Sequence, residues 1–513
     1  MFEAVGPDGE RRSGGSGHGR QGRSTGRLRS RRSTSLPSPP LWDQVRLLRT
    51  IFRDPIPVLD EIAERFEGTC AFGFGPVRLA VVGDPAALRS LFAEPSTSFR
   101  WGHKFNVLGF VVGDDSMIVS DGPDHLRRRR SVQSAFSRRR LNRWIPLIVE
   151  QADAAIDRLV GSELDAASSV GGGAHFCRVD LYPMGRSMVL NVVVRAFFGE
   201  RLAPRAEEIG VLFERAQSYL EGSAFKQLPH PFPRTARARV RADRAVLDAM
   251  IDGEIADRRL HPSGDSLDLL EALVEDATLT DAEIRDQVVT LIGAGHDTTA
   301  ASLAWILWRA ATEPGLWDRL RAEADAVFGP LAGDQGSGTG GAVVTQSDHS
   351  AGFDHRTLHD LGLANRVMHE TLRLHPAGVL SPREAAVDVA LGDRVIPKGT
   401  LVLWSAHIAG RDSAAWPDPM RFDADRFLNL GDDQKAMANE AWVPFGRGAR
   451  NCIGFALAQM ELTLMIARIA QRLDVEAIAA TLPEPVGMVV NRPSGGVPMR
   501  IRVRNPDGPK PIG

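Results

Sequence analysis

Several stretches of this sequence place reactive or charged side chains in surroundings that would change their chemistry. In residues 442–473, WVPFGRGARNCIGFALAQMELTLMIARIAQRL, a glycine-rich loop ends at a lone cysteine, Cys452, and feeds a run of helix formers. Leu462, Met465, Ile466 and Ile469 recur at the spacing of a buried helix face. Free amides and the dipole at a helix N-terminus favour an anion. Cys452 is therefore expected to be a good thiolate, and thiolates bind metals. A lone cysteine is also compatible with a small buried hydrophobe. In residues 288–310, VVTLIGAGHDTTAASLAWILWRA, a helix apolar enough to be buried carries Asp297 and Thr298 at its middle. An acid beside an alcohol can deliver protons to a reacting atom. The plainer reading is a kink, with threonine bonded back to the preceding turn. In residues 121–141, DGPDHLRRRRSVQSAFSRRRL, His125 and Arg129 are four apart and share one helix face. Glu370 and Arg373, in LANRVMHETLRLHP, are three apart and can pair as ions.

The surrounding pattern predicts the elements that hold these residues. Trp42 to Phe66 is helical, residues 69–83 are two short strands around Gly75-Pro76, and Asp84 caps a helix starting with Pro85. Residues 97–118, with Trp101, Phe105, Leu108 and Phe110, are expected to be irregular. Residues 145–260 are mainly helical, interrupted at Gly171–Gly173 and at Pro229, Pro231 and Pro233. Thr280 and Glu283 form a capping box for the long apolar helix. Residues 387–404 read as strands around Pro397-Lys398-Gly399, and RPSGGVPMRIRVR as a closing strand pair. Residues 1–40 are rich in Gly, Ser and Arg and lack hydrophobic periodicity, which predicts a disordered tail. Eight arginines lie between Arg11 and Arg32, so a nucleic-acid or membrane tether is an alternative. Glu3, Asp8 and Glu10 count against an organelle transit peptide. Residues 329–350 read as a flexible Gly-rich insertion and 507–513 as a C-terminal tail.

The 513 residues are 43% hydrophobic and 25% charged, ordinary for a globular protein, and their formal net charge of -2 gives no reason to expect a nucleic-acid partner. Cys70, Cys177 and Cys452 are odd in number and widely spaced, which argues against a disulfide scaffold and for a reducing compartment. No stretch of about 18 apolar residues suggests a membrane-spanning helix.

Phe445, Gly448, Arg450, Cys452 and Gly454 fit F-x-x-G-x-R-x-C-x-G at every fixed position, and on this motif the chain resembles the cytochrome P450 family. The resemblance extends to Ala294-Gly295-His296-Asp297-Thr298, similar to the family's Ala/Gly-Gly-x-Asp/Glu-Thr segment. It also takes in an E-x-x-R at Glu370 and Arg373, with Arg426 as a structural third member, and an H-x-x-x-R at His125 and Arg129. Gly410 stands where relatives often have His. The resemblance implies a mainly α domain over residues 41–506 with a smaller β-rich region, and haem b between the long central helix and the Cys452 loop.

The resemblance also implies roles for single residues. Cys452 would be the axial thiolate of the haem iron, with Phe445 covering the sulfur. Gly448 and Gly454 would let the backbone turn and approach the porphyrin. Arg450, His125, Arg129 and Arg383 would hold haem propionates. Ala294 and Gly295 would open a groove for dioxygen, and Asp297 and Thr298 would be catalytic, relaying protons. By the same resemblance, Phe225, Leu228, Val379 and Leu380 are candidate pocket residues, and Arg127, Arg128 and Arg130 are candidates for a basic donor-docking surface. The implied activity is monooxygenation of a lipophilic small molecule by O2. Electrons would come from NAD(P)H through a separate ferredoxin- or flavodoxin-type donor and its reductase. The protein would be a soluble, cytoplasmic, bacterial-type monomer. A donor-independent peroxygenase or isomerase, and a haem-binding sensor without turnover, are the alternatives.

Overall fold

A computed structural model describes residues 34–504, except 75–76, 102–106, 169–175, 223–226, 228–233, 263–267, 330, 332–352 and 480. Phe105, Phe225, Leu228, the Gly171–Gly173 loop, almost all of the Gly-rich insertion and the C-terminal tail lie outside the described residues.

The helices in chain order are α1 (Leu41–Ile51), α2 (Pro55–Phe66), α3 (Pro85–Ala93), α4 (Val107–Val112), α5 (Gly122–Ala135), α6 (Arg138–Ser168), α7 (Leu181–Phe198), α8 (Ala206–Leu220) and α9 (Ala236–Leu260). They continue as α10 (Leu269–Val274), α11 (Asp281–Thr312), α12 (Leu316–Phe328), α13 (His355–Asp360), α14 (Gly362–Leu374), α15 (Ala406–Ala409), α16 (Arg426–Asn429), α17 (Asp432–Ala441) and α18 (Phe455–Arg472). The strands are β1 (Thr34–Ser35), β2 (Thr69–Phe74), β3 (Val77–Val82), β4 (Phe99–Arg100), β5 (Cys177–Asp180), β6 (Ser381–Ala385) and β7 (Val389–Leu391). They end with β8 (Arg394–Ile396), β9 (Leu401–Trp404), β10 (Leu473–Ala477), β11 (Pro485–Val486), β12 (Arg492–Pro493) and β13 (Pro498–Val503).

Helix α11 is the axis of the molecule. The Thr280 hydroxyl accepts from the Glu283 N–H, and the Glu283 carboxylate accepts from the Thr280 N–H, which closes the expected capping box. Leu303, Trp305 and Ile306 are fully buried on this helix, and α7 and α18 pack against it. Phe197 and Phe198 anchor the helical core, and Trp305, also fully buried, stacks on His375. Truncating a side chain of this kind to alanine costs about 3–5 kcal/mol.

The main sheet has the order β2-β3-β9-β6-β4. Strands β3 and β9 run parallel and the other neighbours antiparallel. In this register Arg383 of β6 lies opposite Val402 of β9, which fixes where the arginine leaves the sheet.

Three expectations need correction. The tail does not run to residue 40: β1 pairs in parallel with β8, Leu36 is buried, and the Ser38 hydroxyl donates to the Ala71 carbonyl. One leucine and a sheet edge are enough to fix this short segment, although it has no periodicity to read. Residues 97–118 are not wholly irregular, because Val107–Val112 form α4. A helix this short is below the length that propensity alone sustains, and Val111 and Val112 hold it by packing. The closing strands are not partners of one another. β12 pairs with β11, whereas β13 pairs with β10 and β5.

Candidate active site

The Cys452 loop is built by its aromatic flank. The Cys452 N–H donates to the Phe445 carbonyl at 2.8 Å. The Phe445 ring meets Phe455 at 4.8 Å and Trp442 at 6.0 Å. Gly448 has φ +72, and a Cβ there would stand 3.0 Å from the Phe92 carbonyl oxygen, so this position needs glycine on both counts. Gly454 does not: its φ is −82, within reach of any residue. It lies beside the sulfur, where a Cβ would be 3.9 Å from Cys452 Sγ, and its N–H donates to that sulfur.

Cys452 has exposed surface, yet burial around its sulfur raises the thiol above its ordinary pKa, with the Gly454 N–H and Arg129 opposing. The expectation of a ready thiolate therefore fails for the protein alone. Loop and dipole are outweighed by desolvation, and a bound metal has to supply the remaining stabilisation of the anion.

Three arginines and a neutral histidine gather beside this loop. Arg129 donates to the Asn451 carbonyl at 2.9 Å and to its Oδ1 at 2.6 Å, which ties α5 to the residue preceding Cys452. His125 is buried on the same helix. Burial, and then the charges of Arg450 and Arg129, push its pKa down to about 3. Arg450 donates to the carbonyls of Met117 and Ser120 and to Asp121 at 2.9 Å. Arg383 is buried against the faces of Phe92 and Phe99. Burial lowers both Arg383 and Arg450 to about 10.

Asp121 is the one carboxylate in ion-pair contact with these four among the described residues. The Nε atoms of Arg383 and Arg450 are buried and have no hydrogen-bond partner. Arg383, Arg450 and Arg447 line a gap of about 20 Å³ together with Phe92, Glu94, Phe99 and Trp101. Buried cations that repel one another, with donors left over, fit a ligand carrying two carboxylates. The residues present thus fit haem b. A larger cleft of about 400 Å³ between α6, β5 and α7 shares none of these side chains.

Asp297 and Thr298 lie on α11, which packs against α18 behind the cysteine loop. The helix is continuous through Gly293–Thr298, so the groove implied by the resemblance is not a break in the helix. Small side chains make it instead: Ala294 is exposed, and Gly293, Gly295 and Thr298 are half-buried, in a stretch from Asp286 to Trp308 that is otherwise buried. The Thr298 hydroxyl donates to the Ala294 carbonyl at 2.6 Å. Asp297 turns the other way. It is buried, and its Oδ1 meets Arg186 Nη2 of α7 at 3.2 Å and His296 Nδ1 at 3.6 Å. Arg186 also reaches Glu214, whose carboxylate side chain is 59% exposed.

The structure brings His125, Arg129, Arg383, Arg450 and Cys452 together, and leaves Asp297 and Thr298 on the separate wall formed by α11. Arg186 was missed by sequence reasoning. It lies 111 positions from Asp297, and no local pattern joins the two. Arg127 and Arg128 are not a free basic surface: both pair with Glu283, and Arg128 also pairs with Asp115 at 2.5 Å.

Glu370, Arg373 and Arg426 form the expected triad, with pairs at 2.8 and 2.9 Å, all of it buried. Gly410 takes part: its carbonyl accepts from Arg373 at 2.6 Å, and a Cβ at 410 would overlap the Arg373 carbonyl oxygen.

Comparison with known proteins agrees with this geometry. The family model described as Cytochrome P450 matches residues 36–496. A putative cytochrome P450 139 of Mycobacterium tuberculosis (strain ATCC 25618 / H37Rv) is 31% identical over 431 residues, covering 82% of this chain and 91% of the relative. Pentalenene oxygenase of Streptomyces avermitilis is 29% identical over 84% of this chain and 88% of its own length. Cyclooctatin synthase of Streptomyces melanosporofaciens is 30% identical over 73% of this chain and 76% of its own length. The solved structure of retinoic acid-bound cyanobacterial CYP120A1 superposes with a TM-score of 0.73 at 22% identity, covering 89% of this chain and 96% of that one. Among the described residues no helix is long and apolar enough to cross a membrane. This chain belongs to the cytochrome P450 family and is a haem b monooxygenase.

Proposed function

We propose that this enzyme hydroxylates a lipophilic small molecule with O2, drawing electrons from NAD(P)H through a separate ferredoxin- or flavodoxin-type donor. The observation that carries the reading is the interruption of burial on α11 at Gly293–Gly295 and Thr298, which we read as an apolar recess. Ala294 is open there, and Leu108, Phe110, Val111, Val112 and Tyr219 form an apolar cluster from α4 and α8, of which α4 packs on α11. Such walls suit a hydrophobic substrate.

Cys452 would hold the iron, while Arg383, Arg450, Arg129 and His125 would surround the propionates. Bound haem supplies the activation of dioxygen. The chain's own residues manage protons. Arg186 holds the Asp297 carboxylate away from the recess and links it through Glu214 to solvent. Rotation of the Asp297 carboxylate off Arg186 would free it to take a proton from solvent on the Glu214 side and pass it inward, and the Thr298 hydroxyl, released from the Ala294 carbonyl, would donate into the recess and be reprotonated from Asp297. Arg130, Arg138, Arg139 and Arg143 are exposed, and they offer an acidic donor a docking face. No disulfide joins Cys70, Cys177 and Cys452, which supports a reducing compartment, and we place the enzyme in the cytoplasm as a monomer.

The test is turnover with a surrogate ferredoxin and reductase on a panel of lipophilic compounds, beginning with pentalenene, under 18O2. One labelled oxygen in the product, dependent on the donor, is expected. Product formed equally well without the donor would favour the peroxygenase reading, and spectral ligand binding with no product from any compound would favour the sensor.

A further inference from the structure

Helix α1 is held firmly by its inner face. Leu47 and Ile51 are fully buried. Asp43, also fully buried, pairs with Arg46 at 2.7 Å and with Arg65 at 2.6 Å. The Gln44 side chain donates to the Pro39 carbonyl and accepts from the Gly73 N–H. The outer face therefore cannot turn inward to hide. That face is apolar: Trp42 is 73% exposed, Leu41 62%, Phe52 50% and Val45 43%. At about 100° per residue these four fall within one arc of about 100°. Arg49 lies inside the same arc and Arg53 follows at its edge, both exposed.

The two obvious covers do not suit it. In a two-fold dimer the face would meet its own image, arginine against arginine. Residues 1–33 carry few apolar side chains, and their eight arginines would be repelled by Arg49 and Arg53. What matches aromatic and aliphatic side chains interleaved with arginine is a lipid interface bearing negative charge. The sequence from Arg11 to Arg32 adds eight positive charges and no acid immediately upstream. An apolar face next to a polybasic run is the two-signal pattern of reversible membrane attachment.

We propose that α1 lays this outer face on an anionic lipid surface, making the enzyme a peripheral membrane protein. Lipophilic substrates concentrate at such a surface.

The experiment is co-sedimentation of the full-length, haem-loaded protein with sucrose-filled vesicles of phosphatidylglycerol and phosphatidylcholine, against vesicles of phosphatidylcholine alone. The wild type is expected to pellet with the anionic vesicles and to be released by 0.5 M salt. Trp42→Ser with Phe52→Ser is expected to lower the partition coefficient at least about tenfold. Arg49→Gln with Arg53→Gln is expected to weaken the salt-sensitive part, and Met420→Ser, 66% exposed elsewhere, to change nothing. The haem spectrum and melting temperature report that each variant is folded. Failure of the wild type to pellet would overturn the proposal. So would pelleting unaffected by the Trp42 and Phe52 changes, because the basic segment alone would then bind. A wild-type dimer that Trp42→Ser with Phe52→Ser converts to monomer would instead assign the face to a second copy.

Discussion

Replacing Glu370 by glutamine should destabilise the protein more than any exposed charge change. The Glu370 Oε1 accepts from Arg373 Nη2 at 2.8 Å, from Arg426 Nε at 2.9 Å and from the Asp423 N–H at 3.0 Å. Its Oε2 accepts from Arg373 Nε at 2.8 Å. Arg373 also donates to the carbonyls of Gly410, Pro419 and Arg421, and Arg426 to those of Pro417, Asp418 and Arg421. One carboxylate thus neutralises and orients two buried guanidiniums on which the 410–426 segment hangs. Glutamine keeps one acceptor, turns an N–H₂ toward an arginine N–H, and leaves two buried positive charges without a counter-charge. Breaking a buried pair from one side costs about 3–5 kcal/mol, against a total stability of about 5–15 kcal/mol. Asp425→Asn is the control. It removes the partner of Arg319 and Arg366, with side chains 32%, 49% and 24% exposed, and a partly solvated pair of this kind is worth about 1 kcal/mol or less. Urea unfolding of both variants, with haem retention followed in parallel, tests the difference. A Glu370→Gln stability within about 1 kcal/mol of wild type would refute the reasoning that this carboxylate is the keystone of the segment.

Proton delivery and acid stability give two further expected outcomes. If Thr298 and Arg186 manage protons as proposed, Thr298→Ala and Arg186→Gln should each lower product formed per NAD(P)H consumed by about tenfold or more, with a changed solvent isotope effect and substrate-induced spectral shifts intact; unchanged coupling in both would remove Asp297 and Thr298 from the proposed catalysis. Acid should weaken the fold through His369, which burial holds down to about 4. Its folded pKa lies below the unfolded value near 6.5, so its contribution is complete above pH 6.5 and is lost as pH falls toward 4, about 2 kcal/mol by pH 5. His369→Gln should show that much less loss between pH 7 and 5 in urea titrations.

The chemistry-bearing residues were legible where they are local in sequence. The cysteine loop, the capping box at Thr280 and Glu283, and the Glu370–Arg373 pair each rest on spacings of a few residues, and the backbone alone brings those together. Arg426 was reached through the family resemblance, and the structure places it on Glu370. What stayed hidden is long-range. Arg186 meets Asp297 across two packed helices, and Asp121 reaches Arg450 across 329 positions. Arg127 and Arg128 looked like surface charges because composition cannot show that Glu283, already spent on a cap, also has free lone pairs facing α5. The pKa of Cys452 was misjudged for a related reason: loop and dipole can be read from sequence, whereas the density of protein around a sulfur cannot.

The central claim is that Cys452 ligates haem iron as a thiolate. The most direct test is the absorbance spectrum of the purified, reduced, carbon monoxide-bound protein beside a Cys452→Ser variant. A strongly red-shifted Soret band in the wild type, lost in the variant with haem still bound, is the predicted result. An unshifted band in the wild type, or a shifted band that survives Cys452→Ser, would contradict it.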